Sequence, residues 1–537
     1  MTTNPGARGP LDGVRVIDAT DGIAGPVATM ILADFGADVV RLEDDRHAEL
    51  ELPGHVMWNR NKTVLPSTEA ASDLVAAADL VVTTCAREAE RLGVPVEGNQ
   101  PVDQVHLHLP GWEPTDPPRR PVDALLADRM MQADFGIARR QTSFSGGPVE
   151  CVYPFVSYLQ GAWGATAAIA TLIERVKTGM GQRLVIDPLH GAIVAATTTM
   201  FADPEVSLPT TSVGPGGPNP VFGTYQCGDG EWIFLGALGV KFQDLAFELL
   251  DVTDITSHPR IAANREAIYA VDLRDQVRAR IAEGFRTKPR SHWLAEFETV
   301  GCPVSPVGER DHWLDHEQVS AMGQRVEITD PQVGRAVMGG SPVDFSAFPS
   351  PVFKPRRQVS TAAWPARPTP QSDPDSDSDA LPGRGPLHGV KVLDLGTVLA
   401  GPYAGQLLAA LGADVVKVET TKGDEFRTRG YMINRGQRSL SIDLRDTRGH
   451  ATFLKLVAGS DVVVDNFRPG VLNRLGIDLD ALRSVNPEIV TASITGYGGV
   501  GAAWSPTWIR SSGPGVVRHH GGTGRKRRAR ILHRFGQ

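Results

Sequence analysis

The chain has 537 residues, of which 41% are apolar and 22% charged, and a formal net charge of −8. That length exceeds one ordinary core and implies three or more units of about 100–200 residues, while the acidic balance argues against a general nucleic-acid binder. The longest apolar stretch, residues 161–173, falls short of the roughly 18–20 residues of a membrane span, and the first ten residues lack the basic-then-apolar plan of a secretory signal, so a cytoplasmic protein without membrane or nucleic-acid partners is expected.

The chain opens on a short apolar run, Leu11-Asp12-Gly13-Val14-Arg15-Val16-Ile17-Asp18, then Ala24-Gly25-Pro26 and Gly36-Ala37-Asp38-Val39-Val40-Arg41-Leu42-Glu43. All three blocks recur ungapped at one offset of 376 residues, as Leu387–Asp394, Ala400-Gly401-Pro402 and Gly412–Glu419. An internal repeat of this kind constrains architecture more firmly than local propensity. His106 and His108 alternate on a strand-like run with no third ligand in view, and read as strand residues. Cys85, Cys151, Cys227 and Cys302 lie far apart with no CxxC pair, the pattern of buried, reduced thiols.

Residues 349–385 are rich in Pro, Ser and Asp and carry too little apolar surface to offset their ordering entropy, so a disordered linker is predicted there. Beyond it, the apolar run Val390–Leu395 leads into a Gly-Pro loop, a helix-like stretch over Tyr403–Leu411 and a second apolar run over Asp414–Val418. Asp461–Asp465 and Ile489–Ile494 look like further strands. Near-continuous apolar strands alternating with helices predict a parallel sheet covered on both faces. The expected fold class is α/β and Rossmann-like, present twice, with the second copy incomplete. Gly496-Tyr497-Gly498-Gly499-Val500-Gly501 fits GxGxxG after a strand, but no helix-forming run follows and no acidic residue lies about twenty positions on, so dinucleotide binding is not expected. Residues 510–534 hold basic and no acidic side chains. Without aromatics on a scaffold they do not read as a nucleic-acid patch.

The second copy resembles the family III CoA-transferases, the group that includes formyl-CoA transferase and the carnitine and bile-acid CoA-transferases. The resemblance rests on Leu387-His388-Gly389-Val390, Ala400-Gly401-Pro402, Gly412–Glu419, Gly423-Asp424 and Asn434-Arg435-Gly436-Gln437-Arg438-Ser439, continuing through Asp465-Asn466-Phe467-Arg468-Pro469-Gly470, Leu475-Gly476 and Ser493–Gly498. The first copy is similar in Ala168–Gln182, which ends in Lys177-Thr178-Gly179-Met180-Gly181-Gln182, in Thr224–Ala237, in Val300-Gly301-Cys302-Pro303-Val304 with Pro306-Val307, and in Gly339-Gly340-Ser341-Pro342. The resemblance implies a large Rossmann-like domain at 10–205 and 326–348, a smaller α+β domain at 215–325, the linker, and a truncated second copy at 386–503. Residues 504–537 read as out-of-frame translation, because Thr507–Gly515 admits codons whose shifted frame resumes a stretch similar to the family's.

The family's chemistry, as the resemblance implies it, moves CoA from an acyl-CoA to a carboxylic acid. An aspartate carboxylate attacks the thioester to give a mixed anhydride, and the released thiolate then forms an aspartyl thioester. Backbone amides near glycines stabilise the oxyanions. No metal and no tightly bound cofactor is implied. The family's aspartate lies four residues before a glycine; with Gly161 as that glycine the position falls on Ser157, and no aspartate lies nearby in sequence. The first copy is therefore expected to be catalytically silent, and Asp187 to be structural. Its Thr84-Cys85 replaces the pair Asn466-Phe467, which in the family lines the CoA site. In the second copy the resemblance puts Val398 and Ala400 beside the adenine, Asn466 and Phe467 beside the CoA chain, and Arg474 near the phosphates, where a guanidinium suits bidentate contacts; no individual role is assigned to Arg427, Arg429, Arg435 or Arg438. The expected function is CoA transfer, impaired in this chain, with an acyl-CoA racemase or a non-catalytic CoA-binding or assembly subunit as alternatives. A racemase would need a His–Asp pair, and no Gly-His-Asp stretch stands where that histidine is expected. A homodimer or an intrachain pseudo-dimer is the expected assembly.

Overall fold

A computed structural model describes residues 9–43, 54–66, 71–91, 103–111, 124–140, 147–196, 219–348, 352–366, 384–424 and 433–498. The first unit is built on β1 (Arg15–Ala19), β2 (Asp38–Glu43), β3 (Thr63–Pro66), β4 (Leu80–Thr83), β5 (Val105–His108) and β6 (Arg183–Val185). With a short β12 (Arg357–Gln358) they form one parallel sheet in the order β12-β3-β2-β1-β4-β5-β6. Strands such as β4, with Leu80-Val81-Val82 in unbroken succession, are apolar because helices cover both faces, and every residue of β4 and β5 is buried. The helices are α1 (Ala24–Asp34), α2 (His55–Trp58), α3 (Ser72–Ala77), α4 (Ala86–Arg91), α5 (Ala124–Asp134), α6 (Ile137–Arg140), α7 (Phe155–Thr178) and α8 (Pro188–Ala196).

The longest is α7, which lies against α1. Gly161 permits that approach, since a Cβ there would stand 2.4 Å from the Ala24 carbonyl oxygen. The helix stops at Gly179, whose left-handed φ of 70° lets its N–H bond the Arg175 carbonyl.

The smaller domain pairs β7 (Phe222–Gln226), β8 (Trp232–Gly236) and β9 (Val304–Pro306) antiparallel. Around them pack α9 (Val240–Leu249), α10 (Asp254–Ser257), α11 (Pro259–Ala263), α12 (Val271–Arg286), α13 (Arg290–Val300) and α14 (Glu317–Ala321), over a core that includes Tyr225, Phe247, Phe285, Trp293 and Phe297. A hairpin of β10 (Arg325–Asp330) and β11 (Gly334–Gly339) returns the chain to the first unit, where the Arg60 guanidinium, held by Asp34, donates to the carbonyls of Gly339 and Gly340.

The second unit repeats the centre of the first. β13 (Lys391–Asp394), β14 (Asp414–Glu419), β15 (Arg438–Ser441), β16 (Val462–Asp465) and β17 (Val490–Ser493) are parallel in the order β15-β14-β13-β16-β17, matching β3-β2-β1-β4-β5. Its helices are α15 (Ala400–Ala410), α16 (Thr447–Val457), α17 (Val471–Leu475) and α18 (Leu479–Val485). The registers Arg15 to Asp38 and Lys391 to Asp414 coincide at the offset seen in the sequence. β5 is flanked by β6 and fully buried, whereas β17 closes its sheet among the described residues and is only half-buried.

Part of the expected linker is ordered into the first unit. β12 pairs with β3, the Trp364 indole donates to Asp38 (2.9 Å), and Arg356 is buried beside Asp330. Val359, Ala362 and Trp364 pack on the first sheet's core. These few apolar side chains are diluted when composition is averaged over 349–385. The Ser/Asp-rich run at 372–379 and the tail at 504–537 lie outside the described residues.

The two units touch. One buried apolar cluster holds Leu32, Leu80, Leu107 and Ala168 from the first together with Leu387, Val392, Leu411 and Val415 from the second. The Tyr403 hydroxyl donates to the Val194 carbonyl on α8, and Gln318 on α14 donates to the Tyr497 carbonyl (2.7 Å). Among the described residues no helix is long and apolar enough to cross a membrane, and no His, Cys, Asp or Glu group has metal-holding geometry.

Candidate functional site

In the second unit the strand order reverses between β13 and β16, and in open α/β sheets the crevice outside the strands' carboxyl ends at such a point is where ligands bind. The loop that leaves β13 there is held residue by residue. Asp394, buried at the end of the strand, accepts the Gly396 amide (2.7 Å). Lys417, reaching across from β14, lies 3.4 Å from the same carboxylate and donates to the Gly396 carbonyl. Asn466, just past β16, donates its amide to the Thr397 carbonyl and accepts the Thr397 N–H, both at 2.8 Å. Burial raises the Asp394 carboxyl above its ordinary value against the pull of Lys417, and burial lowers the Lys417 ammonium.

The pinned loop ends in an unusual conformation. Val398 stands at φ 67°, a left-handed geometry that a β-branched residue adopts only under constraint. Val398 is 48% and Leu399 41% exposed. Leu399 occupies the N-cap of α15 without a side-chain cap. Ala400, exposed, begins the helix. The structure thus gathers Val398, Ala400 and Asn466 around one crevice. Phe467 follows directly, its ring half-buried against the second unit's own core and its N–H on Asp465 (3.0 Å). Arg474 lies apart on α17, exposed and folded over the Gly470 turn, without a hydrogen-bond acceptor among the described residues. Arg438 pairs with Asp414 on the surface (2.7 Å), while Arg427 and Arg429 lie outside the described residues. Thr397, Asp394 and Lys417 were not singled out from the sequence. The signal was present in the repeat, where Asp18 and Arg41 recur as Asp394 and Lys417 within apolar strands.

The same place in the first unit is built differently. Asp18 is buried under Lys62 (2.8 Å), Arg41 (3.3 Å) and the Thr20 hydroxyl (2.6 Å). Burial would raise the Asp18 carboxyl, yet the two cations outweigh it and hold it well below the usual carboxylate range; burial presses Lys62 down to about 8. The Asp21 amide is capped by the Thr84 hydroxyl, as Thr397 is by Asn466. Gly22, at φ 77°, takes the position of Val398. Ile23, at the position of Leu399, is only 3% exposed, buried with Val27, Met30 and Trp58 and packed against by Leu125 and Tyr158. The Trp58 indole donates to the Tyr158 hydroxyl (2.7 Å) and helps hold that cover in place. This crevice is filled by its own side chains.

At the third residue of α7, Ser157 is buried, and an aspartate does lie beside it. Asp128, on α5 and fully buried, accepts both the Ser157 amide and its hydroxyl at 2.7 Å, and its other oxygen accepts Gln132 (2.8 Å). It stands 29 residues earlier in the chain, so a search around position 157 misses it. The carboxylate caps α7 from a neighbouring helix, where negative charge is favoured. Asp187 follows β6 and accepts the His190 amide (3.1 Å) and ring nitrogen (2.8 Å) at the start of α8, a structural cap as expected. His106 and His108 flank the Thr83 hydroxyl at 2.8 and 3.0 Å inside the sheet. Cys227 and Cys302 are buried, their thiols pushed up to about 11 and about 12 chiefly by burial, the pattern of unreactive core cysteines.

Comparison with known proteins accords with this geometry. A family model described as CoA-transferase family III matches residues 11–357 and again residues 387–508. The chain is similar to the Mycobacterium tuberculosis protein named Probable CoA-transferase Rv1866, 27% identical over 539 residues, covering 91% of this chain and 65% of that protein. It is also similar to the succinyl-CoA–L-malate CoA-transferase alpha subunit of Chloroflexus aurantiacus, 39% identical over 145 residues, or 24% of this chain and 34% of the relative. The formyl-CoA:oxalate CoA-transferase of Streptomyces avermitilis is 43% identical over 125 residues, 21% and 30% of the two chains. The chain thus spans 65% of the length of the first relative and about a third of the other two. Among solved structures, Rv3272 from M. tuberculosis shares the fold, with a TM-score of 0.52 at 18% identity over 66% of this chain and 97% of that one.

Proposed function

Because this chain belongs to CoA-transferase family III, we propose that it binds CoA thioesters at the switch point of its second unit and that its task is the transfer of CoA from an acyl-CoA to a carboxylic acid, curtailed in this chain at the acyl-carrying step. The carrying observation is the asymmetry between the two switch points. Leu399 and Val398 leave the second crevice open over the clamped Thr397, whereas Ile23 and its neighbours fill the first.

In this reading the CoA chain runs past Asn466 and Phe467, the adenine rests by Val398 and Ala400, and Arg474 takes phosphate. The uncapped amides at the start of α15 suit the same anionic portion. The ligand is a substrate, with no tightly bound cofactor beside it. Two units in one chain pair as a pseudo-dimer, a reading supported by their shared apolar cluster.

The curtailment follows from chemistry at Ser157. A carboxylate that attacks a thioester yields an anhydride, reactive enough to pass its acyl group on; a serine would yield an ester, which is not. Asp128 holds the Ser157 hydroxyl, but the same carboxylate oxygen also accepts the Ser157 amide, and no histidine bonds either group among the described residues, so the pair lacks the serine–histidine arrangement of an activated acyl-transfer nucleophile. The racemase alternative gains nothing, since Asp187 spends its carboxylate on capping α8 beside His190. A CoA-binding subunit without turnover is the second reading, and the Ser157–Asp128 pair favours it over an active enzyme.

Isothermal titration of the full chain with CoA tests the site. Binding is expected, weakened about tenfold or more by Asn466→Ala, which unpins Thr397. Equal affinity in the variant, or no binding by the unmodified chain, overturns the assignment. An acyl-CoA and acceptor-acid screen is expected to show little or no transfer; sustained turnover overturns the curtailment alone.

A further inference from the structure

The loop that the preceding reading uses for CoA is held from inside the sheet by a charge pair that touches no ligand position. Lys417 and Asp394 grip the two polar groups of a single residue, Gly396, one by its carbonyl and the other by its amide. Two residues later the chain makes its left-handed turn at Val398. The first unit lacks this arrangement. There Lys62 joins Arg41 on Asp18, donates to the Pro26 carbonyl, and the turn falls on Gly22, which needs no holding. Only where the turn residue is β-branched does the lysine reach the loop backbone.

We propose that Lys417, steadied by Asp394, is a positioning residue for the CoA loop of the second unit: its grip on Gly396 holds Val398 in the left-handed turn that faces the first amides of α15 toward the ligand. The proposal rests on the CoA reading of this crevice. Without the grip, Val398 relaxes toward an ordinary extended conformation, the start of α15 turns away, and affinity falls because the loop must be reordered on binding. A glycine at 398 takes the turn without being held, so it should make the lysine dispensable.

The test is a set of CoA titrations and thermal melts on the full chain. Lys417→Met is expected to weaken CoA binding about tenfold, and Lys417→Arg to stay within about threefold, since an arginine already faces the aspartate at this place in the first unit. Val398→Gly alone should melt higher, and because it also removes the side chain placed beside the adenine, its own CoA affinity is the reference for the double variant. The double variant Lys417→Met/Val398→Gly should bind within about threefold of Val398→Gly alone, so that the lysine's loss costs little once position 398 is glycine, which a merely structural role for the lysine would not allow. If Lys417→Met does not fold alone, the double variant carries the comparison and is expected to fold and bind within about threefold of Val398→Gly. A folded Lys417→Met that binds as tightly as the unmodified chain, or a double variant that binds about tenfold weaker than Val398→Gly, overturns the positioning role. An unmodified chain that binds no CoA overturns the underlying site as well, and that first titration tells the two failures apart.

Discussion

At the scale of single residues, the decisive pair is Ser157 and Asp128. Introducing an aspartate at 157 places a second carboxylate where Asp128 already stands 2.7 Å from the serine hydroxyl. Like charges at that spacing in a buried site are costly. Ser157→Asp is therefore expected to lower stability by about 2 kcal/mol or more without producing acyl transfer, and adding Asp128→Ser should recover most of the loss in chemical denaturation. Gain of transfer in the single variant would sink this account. His106 supplies a pH prediction. Burial, with smaller contributions from His108 and Arg183, presses its pKa down to about 3, below the unperturbed value near 6.5. The folded chain then holds this histidine neutral while the unfolded chain protonates it, so its contribution to stability is intact above about pH 6.5 and is lost as the pH falls toward 3. Between pH 7 and pH 5 the loss is about 2 kcal/mol. His106→Thr, which installs the residue found at the matching position 491, should flatten that acid limb in melts at the two pH values.

At the scale of elements, the loop between β13 and α15 and its counterpart between β1 and α1 offer a matched comparison. Gly22→Val in the first unit copies the Val398 turn without the lysine grip on the backbone, and should destabilise by about 1–2 kcal/mol in denaturant titration. Most elements were legible before the structure. The apolar run Val390–Leu395 contains β13, Tyr403–Leu411 overlaps α15, and Ile489–Ile494 contains β17, because sheet strands covered by helices are rich in apolar side chains. The site was legible in part. Val398 and Asn466 were named from motif positions, but the hydrogen bonds that join Asn466 to Thr397 across 69 residues belong to the fold. The Asp128 cap on α7 and the Trp364 anchor were illegible for a related reason. Each is a single long-range contact, and neither periodicity nor composition records which distant side chain will arrive.

At the scale of the whole molecule, the buried cluster that draws on both units makes their stabilities interdependent. Leu411→Ala, in the second unit, is expected to cost about 2–4 kcal/mol and to lower the melting of the first unit with it, read by exchange protection of β1 and β4 amides. Independent melting of the two units would contradict a shared core. That shared core has a further consequence. In a closed dimer of identical subunits, symmetry imposes every substitution twice, so the loss of an acyl-carrying residue silences both sites at once. Here the partners are joined by one backbone that is partly laid into the first sheet through β12, and their encounter is set by effective concentration rather than by dilution. Position 398 can hold a strained valine while its counterpart, position 22, holds a glycine. Two units joined in this way can answer to different constraints.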